Sequence, residues 1–202
     1  MDTTGLTIEQ EKAFLEAYQQ IDSCFTVVPD EQGSIPFEKF SLLEDYQSVY
    51  VRDLFRIADG RSQSFVTFTK VEYKYIGYKG GQYEGEEYRI WGVAILPKDF
   101  GHLVIRPETF KDRFIEFLKP LELNFPEDKD FCKRFYVLVN DQEKARRLIN
   151  KEFREEMKRI LISDFSLEVM VNYLLIGNKK LVGKEEALEL ASFIFNVSEL
   201  TY

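Results

Sequence analysis

The chain has 202 residues, 45% of them hydrophobic and 15% aromatic, and a formal net charge of −8. This length and uniform composition predict one folded domain spanning residues 1–202 and exclude a disordered chain. Because an acidic surface repels phosphate, we expect no nucleic-acid partner.

The two cysteines, Cys24 and Cys132, lie far apart and form no CxxC motif. Neither a disulfide framework nor a zinc site is therefore indicated, which favours a reducing compartment. Residues 1–4 do not begin a secretory signal, and no apolar stretch approaches the roughly 18 residues of a membrane span. We expect a cytoplasmic protein without a transmembrane segment.

The first third of the chain predicts a helix followed by strands. A capping-box pattern at Thr7 and apolar residues at helical spacing predict a helix over about residues 7–21. Residues 24–28 favour a short strand stopped by Pro29. Residues 35–50 are ambiguous, with a helix around 37–43 as one interpretation, and residues 49–57 predict a strand that ends at a hairpin signal, Asp59-Gly60.

The middle of the chain predicts a long antiparallel hairpin. Residues 65–78 and 88–96 are dense in β-branched and aromatic side chains, and glycines lie between the two runs. Five tyrosines cluster around this hairpin: Tyr73, Tyr75, Tyr78, Tyr83 and Tyr88. Tyrosine has an apolar ring and a polar tip, so the cluster indicates either a protein-binding patch or cross-strand packing.

The last half alternates strands and helices. We predict strands at 101–106, 135–139, 165–170 and 173–176, a helix from Pro107 to Pro120, a loop over 121–130, a helical face from 145 to 161 that breaks or re-caps at Asn150, and a helix over 184–196. Together these elements predict an α+β fold: a mainly antiparallel sheet with helices at both ends and packed on one face.

One stretch resembles an uncharacterised bacterial family, a domain of unknown function. Phe131, Phe135 and Val137 match its Phe-x-x-x-Phe-x-Val strand pattern, followed by Asp141 at a helix start, an Ala145-Arg146 pair and Phe153 in a second helix. The resemblance covers roughly residues 102–178. It implies a fold but no reaction, cofactor or catalytic residue. Many members of that family look membrane-anchored through upstream segments, a feature that we do not expect here.

The sequence carries no recognisable catalytic or metal-binding motif. His102 is the only histidine, and neither a nucleophile motif nor a second imidazole accompanies it. The Gly80-Gly81 loop lacks the Lys-Ser/Thr of a phosphate loop. Two acidic groups have oxygen ligands but not the spacing of a calcium loop: Glu84, Glu86 and Glu87, and Glu127, Asp128 and Asp130. We expect no cofactor and no metal, and the catalytic residues, if any, stay unknown.

One region has a positive charge surplus. Residues 141–160 contain seven Lys or Arg and five Asp or Glu. If the helix there is continuous, four of the basic residues line one face: Arg147, Lys151, Arg154 and Lys158. This strip indicates either docking of an anionic partner or a solvent-facing helix laced with ion pairs.

These patterns favour a non-enzymatic interaction or regulatory module with an unidentified protein partner. The tyrosine cluster and the basic strip are its candidate surfaces. The alternative is a small-molecule-binding protein or hydrolase whose site has no linear motif, assembled from carboxylates, tyrosines or His102. Self-association through the apolar C-terminal helix is a third hypothesis.

Overall fold

The computed structural model describes residues 6–30, 35–61, 63–76, 81–107, 121–178 and 183–200. Within these ranges the chain forms five α-helices: α1 Ile8–Asp22, α2 Lys129–Arg134, α3 Gln142–Leu148, α4 Lys151–Arg159 and α5 Lys184–Glu199. The same ranges contain nine strands: β1 Val27–Pro29, β2 Ser48–Ile57, β3 Gln63–Ile76, β4 Gln82–Ile95, β5 His102–Pro107, β6 Leu121–Glu122, β7 Phe135–Val139, β8 Phe165–Met170 and β9 Tyr173–Asn178.

All nine strands belong to one sheet in the order β1-β2-β3-β4-β9-β8-β5-β7-β6. Every neighbouring pair is antiparallel. β3 and β4 are the longest strands and pair from Gln63 opposite Ile95 to Ile76 opposite Gln82. The predicted α+β fold, with an antiparallel sheet and a helix at each end of the chain, is confirmed.

Helices α1 and α5 cover the first face of the sheet. The Thr7 hydroxyl accepts from the backbone N–H of Gln10, and the Gln10 side chain accepts from the Thr7 N–H, which closes the predicted capping box. Phe14 then packs edge-on against Phe68 of β3, with ring centroids 4.9 Å apart. The inward side chains of α5 lie in the same core: Ala187, Leu190, Ala191, Ile194 and Val197. The residues that motivated self-association therefore lie in the protein's own core, and self-association itself stays a prediction.

Residues 35–47, here called the strap, cover part of the second face. The strap contains two 3₁₀ turns, Phe37–Lys39 and Ser41–Leu43, where the sequence left a helix open. Phe40 and Leu43 are buried in a second apolar cluster with five side chains from the sheet: Leu54, Phe65, Trp91, Val93 and Leu175. Because successive strand residues point to opposite faces, the two clusters lie on opposite sides of the sheet.

Three predicted elements have different boundaries in the structure, and a fourth cannot be compared. The strand expected at 24–28 is β1, Val27–Pro29, and Pro29 lies within it because an edge strand tolerates a missing donor. β4 begins at Gln82, six residues before the predicted strand at 88–96. The loop expected at 121–130 contains β6 and the start of α2, which is too short to show helical periodicity. The predicted helix from Pro107 to Pro120 lies outside the described residues.

Trp91 packs against Gly177, its cross-strand partner between β4 and β9. A Cβ on Gly177 would lie 2.2 Å from Trp91 Cε3. We expect Gly177→Ala to lower the free energy of unfolding by about 1–3 kcal/mol, because the ring has to move in a close-packed core. Urea unfolding followed by the fluorescence of this single tryptophan measures the change.

Gly81→Ala is the matched control, because a Cβ there meets Tyr83 at an ordinary 3.5 Å. Equal stability of the two variants would contradict the packing of Trp91 on Gly177.

Candidate functional site

The far end of the β3–β4 hairpin extends past its neighbours. β2 begins at Ser48, opposite Glu72, and β9 reaches β4 only at Trp91. Within the described strands, residues 73–76 and 82–85 therefore pair only with each other, and we call these two segments the arm. A two-stranded ribbon with both edges open offers backbone groups to a partner.

The pairing of the two strands of the arm shows which tyrosines of the predicted cluster lie on the same face. Tyr73 pairs with Gly85 and Tyr75 with Tyr83, so Tyr73 and Tyr83 share one face. Tyr83 is 52% exposed. Tyr73 lies over Gly85, where an added Cβ would meet its hydroxyl at 2.5 Å.

Tyr88 is not part of this surface. It is 3% exposed and packs on the first face of the sheet, edge-on to Phe14 with ring centroids 5.9 Å apart. Of the two interpretations of the tyrosine cluster, packing therefore holds for Tyr88, because strand alternation places residue 88 on the face opposite to residues 83 and 85. Tyr78 lies outside the described residues.

The other face of the hairpin carries a ladder of ion pairs. Lys70 Nζ lies 2.6 Å from Glu86 Oε2 and 3.3 Å from Glu72 Oε1, and so bridges two carboxylates that face each other across the strands. Lys74 Nζ lies 2.7 Å from Glu84 Oε1. The hydrogen bond to Glu86 raises the pKa of Lys70, so the ammonium stays charged.

Two cavities meet beside the arm. The first, of about 340 Å³, is lined by Gln47, Glu72, Tyr73, Lys74, Glu84, Gly85 and Glu86. The second, of about 320 Å³, lies against the strap and is lined by Phe37, Glu38, Phe40, Leu43, Glu44, Tyr46, Gln47, Ser48 and Val49. Gln47 lines both, so the arm cavity and the strap cavity adjoin at this residue.

Tyr46 lines the strap cavity as a neutral phenol. Burial raises its pKa, and the charge and hydrogen bond of the Arg89 guanidinium only partly oppose the shift. Arg89 is 5% exposed and is further held by the Tyr88 carbonyl oxygen, at 2.9 Å, and by the carboxylate of Glu87. Tyr46, which lines the strap cavity, is thus hydrogen-bonded to a buried cation that has a carboxylate partner.

A buried carboxylate holds the strap on the sheet. Glu168, in the middle of β8, is fully buried. Its Oε1 accepts from the backbone N–H and the hydroxyl of Ser41, both at 3.0 Å, and its Oε2 accepts from the N–H of Leu42 at 2.8 Å. His102 Nε2 lies 2.6 Å from the same Oε1. We call these four residues the clasp.

The geometry of the clasp differs from that of a catalytic relay. A serine nucleophile requires its hydroxyl to hydrogen-bond the imidazole, whereas Ser41 and His102 both bind one oxygen of Glu168. The His102 ring therefore contacts the carboxyl group of Glu168 and not the Ser41 hydroxyl. None of the cavities described above includes His102 in its lining. The arrangement supports anchoring of the strap.

The four residues of the predicted basic strip lie on two helices. α3 ends at Leu148 and α4 begins at Lys151, after Asn150 caps it by accepting from the N–H of Phe153. The single helical face therefore does not form, because the cap restarts the helix. Arg147 pairs with Glu143 on α3, and Lys151 is exposed on α4.

Arg154 and Lys158 turn towards the loop before α2. Arg154 is 7% exposed, donates to Asp128 at 3.0 Å and lies 4.7 Å from the ring centroid of Phe125. Lys158 Nζ lies 3.2 Å from the same carboxylate. These two cations join α4 to the loop, and the use of the strip as an interaction surface stays a prediction.

The remaining candidates have structural partners. Cys132 Sγ accepts from the N–H of Phe125 at 3.2 Å and lies 3.3 Å from its carbonyl oxygen.

Within the described ranges, no group of three or more His, Cys, Asp or Glu side chains is placed to hold a metal ion. The helices of those ranges are all too short or too polar to cross a membrane.

Sequence reasoning missed the strap and the clasp. Ser41, Tyr46 and Gln47 lie in a segment without clear periodicity. Glu168 did give a signal, because it is a lone carboxylate in the apolar strand Phe165–Met170, and a charge in a buried strand requires partners.

Comparison with protein-family models, curated proteins and solved structures found no match to this chain.

Glu168→Gln tests the clasp. An amide at this position turns a donor group towards N–H groups, so we expect the free energy of unfolding to fall by about 3 kcal/mol. Urea unfolding measures the loss, and hydrogen exchange should show faster exchange at the amides of Ser41 and Leu42. Glu143→Gln, whose side chain is 81% exposed, is the control. Unchanged exchange at Ser41 would contradict the clasp.

Asp128 predicts a pH dependence of stability. Burial alone would raise its pKa, but the N–H of Phe131 and the side chains of Arg154 and Lys158 lower it below 3.8. A carboxyl group whose pKa is lower in the folded state than in the unfolded state stabilises the fold at pH values above the unfolded-state pKa. This contribution is lost as the pH falls through the folded-state pKa. We expect Asp128→Asn to lose about 3 kcal/mol at neutral pH and much less in acid.

Urea unfolding at the two pH values measures this difference, with Asp130→Asn as the exposed control in the same helix turn. A loss that is the same in acid would show that Asp128 acts without its charge.

Proposed function

We propose that this protein is a non-enzymatic interaction module that binds a partner protein through the arm and the adjoining strap. The observation that carries the proposal is that, among the described strands, no third strand pairs with the arm, and that Tyr83 is half exposed on it. An exposed tyrosine, such as Tyr83 on the arm, is a frequent anchor of protein interfaces. Two adjoining cavities at the base of the arm give the partner a concave surface.

The alternative of a hydrolase has less support. The one histidine of the sequence is His102, and its described ring contact is with Glu168. Glu168 also accepts hydrogen bonds from the strap, so this contact belongs to the clasp. The alternative of a small-molecule-binding protein is favoured by one observation, the apolar lining of the strap cavity by Phe37, Phe40, Leu43 and Val49. Its volume of about 320 Å³ is at the small end of ligand sites.

The proposal also includes a cytoplasmic location. Cys24 and Cys132 are both free thiols, which fits a reducing compartment. Membership of the uncharacterised bacterial family, with its implied fold and no implied reaction, stays a prediction.

A photo-crosslinking residue in place of Tyr83 tests the proposed function. We expect a discrete crosslinked product in cells of the source, because the arm contacts the partner there. The same residue at Leu161, which is 84% exposed and lies on a different loop, is the control. Equal products at both positions, or none at Tyr83, would contradict the proposal.

The crosslinked partner, once identified and purified, provides the quantitative measurement. Tyr83→Ser should weaken its binding about tenfold or more in calorimetry, as expected for an interface anchor. The melting temperature should change by only a few degrees, because Tyr83 is half exposed at the end of the hairpin.

A further inference from the structure

The lining of the two cavities is strongly acidic. Among the described residues, five carboxylates line the arm and strap cavities and one ammonium group opposes them: Glu38, Glu44, Glu72, Glu84 and Glu86 against Lys74. Lys70 adds a second cation behind the arm cavity, where it bridges Glu72 and Glu86. Carboxylates remain in excess, so the two cavities attract a positively charged group.

The two cavities differ in their apolar content. The strap cavity has three aromatic side chains, Phe37, Phe40 and Tyr46, together with Leu43 and Val49. Among the described side chains, Tyr73 is the one ring in the lining of the arm cavity. An occupant of both therefore places an apolar side chain against the strap and its charge against the arm.

From this arrangement we infer that the occupant is an extended, basic segment of the partner protein. One apolar side chain of the segment enters the strap cavity on the second face of the sheet, and the chain passes Gln47 along the edge of β3. Because successive side chains of an extended chain point to opposite faces, its Lys or Arg side chains then lie beside Glu72, Glu84 and Glu86 on the first face. The open edge of the arm offers backbone groups to an extended chain at the same place. This inference rests on the proposed function and names the chemistry of its partner.

A second copy of this chain is the competing occupant of the same place. Self-pairing at the edge of β3 around Tyr73 would place Lys74 of one copy opposite Glu72 of the other, which are opposite charges. A dimer of the free protein in analytical ultracentrifugation that the basic peptides do not dissociate would therefore overturn the inference. A phosphorylated segment would be repelled by Glu72, Glu84 and Glu86.

Short blocked peptides test the inference on the full chain. The probes have about nine residues of Gly and Ser with one Leu and two Lys, at spacings set by a rise of about 3.3 Å per residue. We expect amide shift changes in nuclear magnetic resonance spectra at Gln47, Tyr73 and Glu86, and binding that weakens as salt rises. Peptides with Ser for Leu, or Glu for Lys, should not bind.

A double variant, Glu84→Gln with Glu86→Gln, should weaken binding of the best peptide roughly fivefold to tenfold. Glu143→Gln with Glu152→Gln, both exposed on other helices, is the matched control and should leave binding unchanged. Thermal melting confirms that both variants are folded.

Three results with the probes would also overturn the inference. Equal binding of the Ser-for-Leu peptide would show charge attraction alone, equal binding of N-acetyl-leucinamide would show a small-molecule cavity, and no binding of any probe would exclude a basic segment. A Tyr83 crosslink that persists after any of these results would leave the proposed function standing with a different partner chemistry.

Discussion

The strap rests on the second face of the sheet because Glu168 is buried in β8 with hydrogen-bonding groups of Ser41, Leu42 and His102 around it. A buried carboxylate is costly unless its oxygens accept hydrogen bonds, so this charge requires the strap in place. With the strap in place, Phe40 and Leu43 cover the sheet and Phe37 and Tyr46 form the wall of a cavity. The proposed binding surface therefore depends on one carboxylate remote from it in sequence.

The outermost strands at the two ends of the described sheet are short. β1 has three residues and ends in Pro29, and β6 has two residues, so neither offers a long row of unpaired backbone groups. The arm presents longer edges, and its Glu84 and Glu86 carry charges that discourage the pairing of two β4 strands with each other at this place. The same charges are the basis of the proposed basic partner.

The basic residues of α3 and α4 have different surroundings, and these determine which of them are exposed. Lys151 stays exposed, whereas Arg154 is buried beside Asp128 and over the ring of Phe125. A guanidinium that lies between a carboxylate and an aromatic ring joins two segments of the fold. Part of the positive charge of residues 141–160 is thus paired with Asp128 inside the molecule. The proposed binding surface is therefore the acidic one near the arm.

Local patterns in the sequence determined much of the secondary structure. The capping box at Thr7, the alternation in β3 and the cap at Asn150 each depend on residues within a few positions, so they could be predicted. Alternation even separates Tyr88 from Tyr83 once the register is known. The strap, the clasp and the cavities depend on contacts between residues as distant as Ser41 and Glu168. Only the tertiary structure decided the positions of the strap, the clasp and the cavities. A buried charge is hydrogen-bonded by groups that are close in space but distant in sequence, and such contacts leave no periodic pattern in the chain.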